Sequence, residues 1–331
     1  MFLDQMWLLL LVLAHLAIAG YLLHRLVRLL TADADLQVLG SRLKPGYFNG
    51  RVVWITGASS GIGEEMCYQL SKLGAKLILT ARTQHKLEEV RNNLYNPENA
   101  RVLPVDLSDP EATRVSVDKA RQLFGRVDML VNNAGVSTRA LFRDLQEHVH
   151  RKVMEIDFFA PWILTHGLIE EMIKDGFGHI INISSIWGKA APSNRSAYSS
   201  AKFGLIALMD SIRYEMLDSN VHVTNVAPGP VVTGAGVNAL KGDGSKFGVS
   251  DNLIATGMSV QRCVEVVLTG VSNQQKEVKQ LVVSRVGRII VWVSEQWWLM
   301  IPYLSHYCPS LLSHWLSKRA RRELEAAKKD K

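Results

Sequence analysis

A doubly wound α/β domain built on a parallel sheet is the fold the sequence predicts, on three observations. Short apolar runs alternate with helical stretches from Val52 to Val226, the order that puts helices on both faces of a parallel sheet. The first strand-to-helix junction is glycine-rich, Thr56-Gly57-Ala58-Ser59-Ser60-Gly61-Ile62-Gly63. The 331 residues contain no internal repeat and no low-complexity linker, so the body reads as a single domain.

Each element has its own signal. Residues 52–55 form an apolar run and predict the first strand, with residues 62–73 as its helix. A second strand is expected over 76–80, then a polar helix from Gln84. The third strand is expected over 102–105, a helix over about 111–124, and the fourth strand over 127–131. One long helix over about 145–174 leads to the fifth strand at 179–183. A further helix follows over about 196–217, and the sixth strand is expected over 221–226. For a final strand, residues 280–284 and 289–293 are both candidates, and periodicity does not choose between them.

Two constellations carry chemistry. In the first, a glycine-rich turn between strand and helix lets backbone N–H groups approach a pyrophosphate at the helix N-terminus. A side chain would block that approach, and such turns often need positive φ. The spacing is Gly-x3-Gly-x-Gly. In the second, Ser184-Ser185 follows the fifth strand, and Tyr198-Ser199-Ser200-Ala201-Lys202 lies on the next helix. Four residues apart, Tyr198 and Lys202 share one helix face. A free tyrosine titrates near ~10, so it shuttles protons at neutral pH only with a cation beside it. Lys202 is placed to supply one. A lone Tyr-x3-Lys pair is common on surface helices; the loop, the serine and the pair in this order carry the signal.

With these motifs the chain resembles the short-chain dehydrogenases/reductases, over residues 49–230. Asn132-Asn133-Ala134-Gly135 matches the family's adenine-wall and sheet-stabilising motif, and Asp106 sits where the family contacts the adenine ring. Pro228-Gly229-Pro230-Val231-Val232-Thr233 looks like the segment that holds the nicotinamide carboxamide. The resemblance implies a Rossmann-type sheet. It implies a cofactor site of Gly57, Ser59, Ser60, Gly61, Ile62, Gly63, Arg82, Asp106, Asn133, Ala134, Gly135, Tyr198, Lys202, Pro228, Gly229, Val231 and Thr233. It also implies hydride transfer between nicotinamide and a carbonyl carbon. Tyr198 would be the general acid, Ser185 would orient the carbonyl oxygen, and Lys202 would bind the ribose hydroxyls and tune Tyr198.

One position departs from the family. An asparagine usually completes the set, on the helix before the fifth strand, and its backbone carbonyl holds a water in the proton relay. This chain reads Met154-Glu155-Ile156-Asp157-Phe158-Phe159, so Asp157 occupies that place and adds an anion near the relay.

NADP(H) is the expected cofactor. NAD-preferring enzymes carry an acidic residue at the end of the second strand. Here Thr80 is followed by Ala81 and Arg82, and a guanidinium suits a 2′-phosphate by geometry and charge.

Outside the domain, taken as residues 45–285, lie two membrane expectations. Residues 1–30 read as an N-terminal anchor: the apolar stretch 6–23 is interrupted by His15 and would span ~27 Å as a helix. A cleaved signal peptide is disfavoured, because Asp4 and no positive charge precede the stretch. Arg25 and Arg28 follow it and place the catalytic domain in the cytosol. Residues 286–331 read as a membrane-associated segment, rich in tryptophan and tyrosine, broken by Pro302 and Pro309, and followed by Lys318, Arg319, Arg321 and Arg322. Packing against the domain is the rival reading. The end, Lys328-Lys329-Asp330-Lys331, resembles a di-lysine retrieval signal of endoplasmic reticulum membrane proteins.

Composition excludes other classes. The formal charge is +7, and from Arg285 onward nine Lys/Arg face four Asp/Glu. These flank apolar aromatic sequence and no groove-reading motif, which argues for a lipid bilayer and against nucleic acid. Cys67, Cys263 and Cys308 are widely spaced, so neither a metal site nor a disulfide framework is indicated. The glycine-rich stretch from Thr233 to Gly257 reads as a flexible lid over the substrate. The expected activity is reduction of a lipophilic carbonyl (steroid, retinoid or lipid-derived aldehyde or ketone) or oxidation of the matching alcohol. A homodimer is compatible with this reading. The competing reading is a nucleotide-binding membrane protein with weak or no catalysis, Asp157 marking the loss.

Overall fold

The computed structural model describes residues 6–7, 10, 13–23, 40–249, 252–274, 277–279 and 309–329. Among the described residues seven strands form one parallel sheet: β1 Val52–Thr56, β2 Lys76–Thr80, β3 Ala100–Val102, β4 Met129–Asn132, β5 Gly178–Ile183, β6 Val221–Ala227 and β7 Glu277–Lys279. Their spatial order is β3-β2-β1-β4-β5-β6-β7. Connections run outward in opposite directions from the β1/β4 junction, and such a junction opens a crevice at the carboxyl ends of the strands.

Helices cover both faces: α1 Gly61–Lys72, α2 Gln84–Asn92, α3 Pro110–Phe124, α4 Glu147–Met154, α5 Ala160–Lys174, α6 Ser196–Glu215, α7 Val260–Ser272 and α8 Pro309–Lys329. Strand side chains alternate between two cores, as the pleat requires. Val53, Ile55, Leu77 and Val131 pack with Met66 and Leu70 of α1 and Val267 of α7. Trp54, Ile78, Leu130 and Ile180 pack with Val117 of α3, Leu164 of α5 and Leu205 of α6. Burial on both faces is why the central strands read as unbroken apolar runs. Local chemistry bounds the helices. Asp109 caps α3, its Oδ1 accepting from Glu111 and Ala112 amides at 2.9 and 3.1 Å. Gly125 ends that helix at φ +77°, a conformation glycine adopts without cost.

Two expectations change, and the last strand and the glycine-rich segment are described with them. The third strand ends at Val102 and begins at Ala100, because Pro104 has no N–H for the ladder. Only Leu103 and Val105 continue it, through bonds to Leu79 and Ala81 carbonyls. The long helix is interrupted by one π turn, Glu155–Phe159. Pro161 lacks the amide an α-helix would give to the Asp157 carbonyl, and the chain widens there. The last strand is Glu277–Lys279, paired with β6; the two expected segments lie outside the described residues. The glycine-rich segment is tied down: Leu240 bonds Ser137 and Arg139 through the backbone, and the Gly242 carbonyl accepts from Gln146.

Among the described residues no helix is long and apolar enough to cross a membrane. The expected anchor falls partly outside them; residues 13–23 are helical with every side chain exposed.

Candidate active site at the carboxyl ends of the strands

The glycine loop leaves β1 at Thr56 and enters α1 at Gly61. Gly57 and Gly61 have φ of +65° and +60°. A Cβ on Gly57 would lie 2.9 Å from Ala134 Cα, and one on Gly63 2.3 Å from the Gly57 carbonyl oxygen. The cradle therefore requires glycine at these positions. It is pinned from β4's end. Asn133 Nδ2 donates to the Thr56 and Gly57 carbonyls at 2.9 and 3.2 Å, and Thr56 Oγ1 accepts from the Asn133 and Ala134 amides. Ser60 is the extended residue before α1, after Ser59 in the same turn. Ile62 packs toward Val231 and Met258. Thr233 reaches across to the loop, its Cγ2 3.3 Å from where a Gly61 Cβ would be.

Beyond β3, where the adenosine is expected, Asp106 Oδ1 accepts from Ser108 N and Oγ at 3.0 and 2.8 Å. Burial works to raise its pKa, but those bonds and the charges of Arg82 and Lys152 outweigh it, leaving the carboxyl below its ordinary value. Arg82 stands at the end of β2, close enough for its charge to reach Asp106. No carboxylate intervenes at that strand end. At the other end Pro228 accepts the Ile186 amide through its carbonyl, and beyond Gly229 the Val232 amide bonds Met258.

Between these ends lies the reaction centre expected from the sequence. Ser185 follows β5, is 7% exposed, and its Oγ accepts from the Trp187 amide at 3.1 Å. Ser184 Oγ donates to the Lys202 carbonyl at 3.2 Å, fixing the serine turn to α6. Tyr198, on the first turn of α6, packs on Ile186, Trp187 and Ala190 of that turn. Lys202 lies one turn further and is buried. Its ammonium is 5.7 Å from the Tyr198 ring centre and donates to the Ile183 carbonyl at 3.0 Å. Asp157, wholly buried on the π turn, brings Oδ2 to 3.3 Å from Lys202 Nζ, and its Oδ1 accepts from Val136 N at 2.8 Å. Burial pushes the Asp157 carboxyl up, against the pull of Lys202 and the Val136 amide. Burial acts to lower Lys202, but Asp157 and Tyr198 outweigh it and its pKa is raised. Gly135 makes room: its Cβ would stand 3.1 Å from Asp157 Oδ2.

Two features escape sequence reading. Asn132, Asn182 and Asn225 stand in register on β4, β5 and β6. They bond edge to edge at 2.9 and 3.3 Å and end on Asp210 of α6. The only sequence signal is an asparagine inside an apolar run. The second is the wall beside Tyr198, where Trp315 and Leu316 of α8 pack on Ile186 and Trp187. The C-terminal segment thus lies against the domain at this point, the rival of the membrane reading; its other tryptophans lie outside the described residues.

The comparisons agree with this geometry. The family described as short chain dehydrogenase matches residues 51–244. The chain is 35% identical over 329 residues to human dehydrogenase/reductase SDR family member 7, covering 96% of this chain and 93% of that one. It is 36% identical over 288 residues to a Drosophila melanogaster dehydrogenase/reductase SDR family protein 7-like, covering 85% and 83%. A metagenomic short-chain oxidoreductase solved in complex with NADP superposes with TM-score 0.59 at 29% identity, over 73% of this chain and 100% of its own. A short-chain dehydrogenase from Sphingobium yanoikuyae, solved with NADPH, gives 0.63 at 25%, over 69% and 87%. The chain belongs to the short-chain dehydrogenase/reductase family of oxidoreductases.

Proposed function

We propose that this protein is a membrane-anchored, NADP(H)-dependent reductase of a lipophilic carbonyl compound, or a dehydrogenase of the matching alcohol. The observation that carries the reading is the seat of Tyr198. Its ring centre lies 5.7 Å from a buried ammonium, and the ring packs on an apolar cluster of Ile186, Trp187 and Ala190 that Trp315 and Leu316 of α8 also join. Such a wall suits an apolar body and leaves a carbonyl oxygen to the hydroxyls of Ser185 and Tyr198.

NADP(H) fits the residues present. The cradle of Gly57 and Gly63 would fill if either carried a Cβ, and Arg82 follows β2 with no acidic residue beside it in sequence, where its guanidinium would meet a 2′-phosphate. When bound, the nicotinamide supplies or accepts a hydride. Lys202 would hold its ribose hydroxyls, Ser185 would orient the carbonyl oxygen, and Tyr198 would donate a proton to that oxygen. General acid catalysis of this kind contributes roughly 10²–10⁴-fold.

The membrane part rests on residues 13–23, apolar but for His15 and exposed, a pattern that asks for an apolar environment. Arg25, Arg28 and the terminal lysines favour a cytosolic domain on the endoplasmic reticulum.

The test is a panel of carbonyl compounds of graded apolar size, offered to the full-length protein in microsomes with NADPH or NADH. Turnover should favour NADPH and rise with apolar size. If NADPH binds and nothing in the panel is reduced, the nucleotide-binding alternative replaces the enzyme. That alternative has one observation in its favour, the Asp157 carboxylate against Lys202.

A further inference from the structure

Position 157 raises a question of charge. An asparagine there would accept the Val136 amide as well as Asp157 Oδ1 does at 2.8 Å. Shape and hydrogen bonding therefore do not call for a carboxylate, and a buried carboxylate is harder to hold than an amide. Its second oxygen has no hydrogen-bond partner of its own. What it meets is Lys202 Nζ, at 3.3 Å, with side chains 0% and 4% exposed.

We propose that Asp157 is a positioning residue: its carboxylate is the counter-ion of Lys202 and offsets the pull of that ammonium on the Tyr198 proton. Without that counter-ion the ammonium would act on the Tyr198 hydroxyl unopposed. The inference rests on the reading of Tyr198 as the proton donor.

The physics is a balance of two charges in a dry place. A cation 5.7 Å from the Tyr198 ring favours the phenolate, and an anion against that cation opposes it; burial leaves both little screened. The groups that face the pair are few. Tyr198 and Asp157 act on Lys202 by charge, and Lys202 acts on Asp157. The Ile183 carbonyl from β5 and the Val136 amide after β4 complete the contacts. Ser184 and Ser185, from the neighbouring turn, are uncharged. The raised pKa of Lys202 agrees with an ammonium held by its counter-ion. Both partners are fixed from outside the pair, Asp157 by the π turn and Val136, Lys202 by Ile183.

The test compares the full-length protein with Asp157→Asn and with the smaller neutral variant Asp157→Ser. Two readouts are used. The first is the pH profile of carbonyl reduction, whose alkaline limb should move to lower pH by about one unit in either variant. The second is the near-ultraviolet phenolate absorbance of the cofactor-free protein, with Tyr198→Phe subtracted to isolate Tyr198. It should develop at correspondingly lower pH. Coincident limbs and coincident titrations in a folded neutral variant would overturn the inference. So would failure of both variants to fold, which would assign the carboxylate to the fold. If Tyr198→Phe itself keeps full turnover, the catalytic reading fails first, and the phenolate titration still judges the charge balance.

Discussion

The two ends of the sheet handle buried polar groups in opposite ways. At the amino ends Asp128 and His179 are both matched. Asp128, 5% exposed, accepts the Val52 amide at 2.8 Å and pairs with Arg126 at 2.5 Å. His179, wholly buried, uses both ring nitrogens, on Tyr47 Oη and Thr224 Oγ1, each at 2.9 Å. At the carboxyl ends, among the described residues, Asn132 Oδ1 and Ser199 Oγ are buried without a hydrogen-bond partner, and Asp157 Oδ2 has only its ion pair with Lys202. Unpaired buried polar atoms are costly. A protein that satisfies them at one end and leaves them at the other is stable at the first and chemically available at the second. Substitutions at the carboxyl ends should therefore change kinetics, and those at the amino ends should change stability.

The sharpest way to break this comparison is Tyr198→Phe. It should cost roughly 10²–10⁴-fold in carbonyl turnover while NADPH binding by fluorescence titration stays near that of the unmutated protein. A stability loss with turnover retained would reverse the assignment of the two ends. Arg82→Ala comes next. It should weaken NADPH roughly ten- to a hundredfold relative to NADH, read from the two dissociation constants; an unchanged ratio would remove Arg82 from the cofactor site.

At the amino ends, Asp128→Ala leaves the Val52 amide without its acceptor and should cost about 2 kcal/mol in urea unfolding, with turnover per folded molecule unchanged. His179 gives the pH counterpart. Burial first, then the charges of His222 and Arg51, lowers its pKa to about 3, while the unfolded histidine titrates near ~6.5. Below that value the unfolded chain takes up a proton that the native one refuses, so stability falls as pH drops from ~6.5 toward the folded value. Between pH ~7 and ~5 the loss should be about 2 kcal/mol, and His179→Gln should lack it. Equal pH dependence in both proteins would mean His179 is not the group responsible. The smallest effect is expected from Trp315→Ala: a rise in KM of about fivefold for an apolar carbonyl, with little change for a small polar one. Equal changes for both would separate α8 from the substrate wall.

Much of this could be read along the chain, and the reasons are local. Six of the seven strands came within a few residues, because strands buried on both faces are written as continuous apolar runs. The glycine loop was legible because its constraint is steric and falls on single residues: Gly57 and Gly63 have no room for a Cβ. The boundary errors share a cause in proline. Pro104 stops the ladder of β3 and Pro161 opens the π turn, and both act through a missing amide whose partner lies on another strand or a full turn away.

Order along the chain, through motif spacing and burial pattern, determined the α/β class, the cofactor cradle and the grouping of Ser185, Tyr198 and Lys202. These are properties of neighbours within one strand, one turn or one helix. Resemblance put Asp157 near the proton relay, but tertiary structure alone decided the contacts that distant residues make there. The carboxylate of Asp157 meets Lys202 at 3.3 Å across 45 positions of sequence, and Trp315 of α8 joins the wall of Trp187. Neither contact has a period or spacing that a sequence could display, because each depends on how two separately formed elements come to rest on the same edge of the sheet.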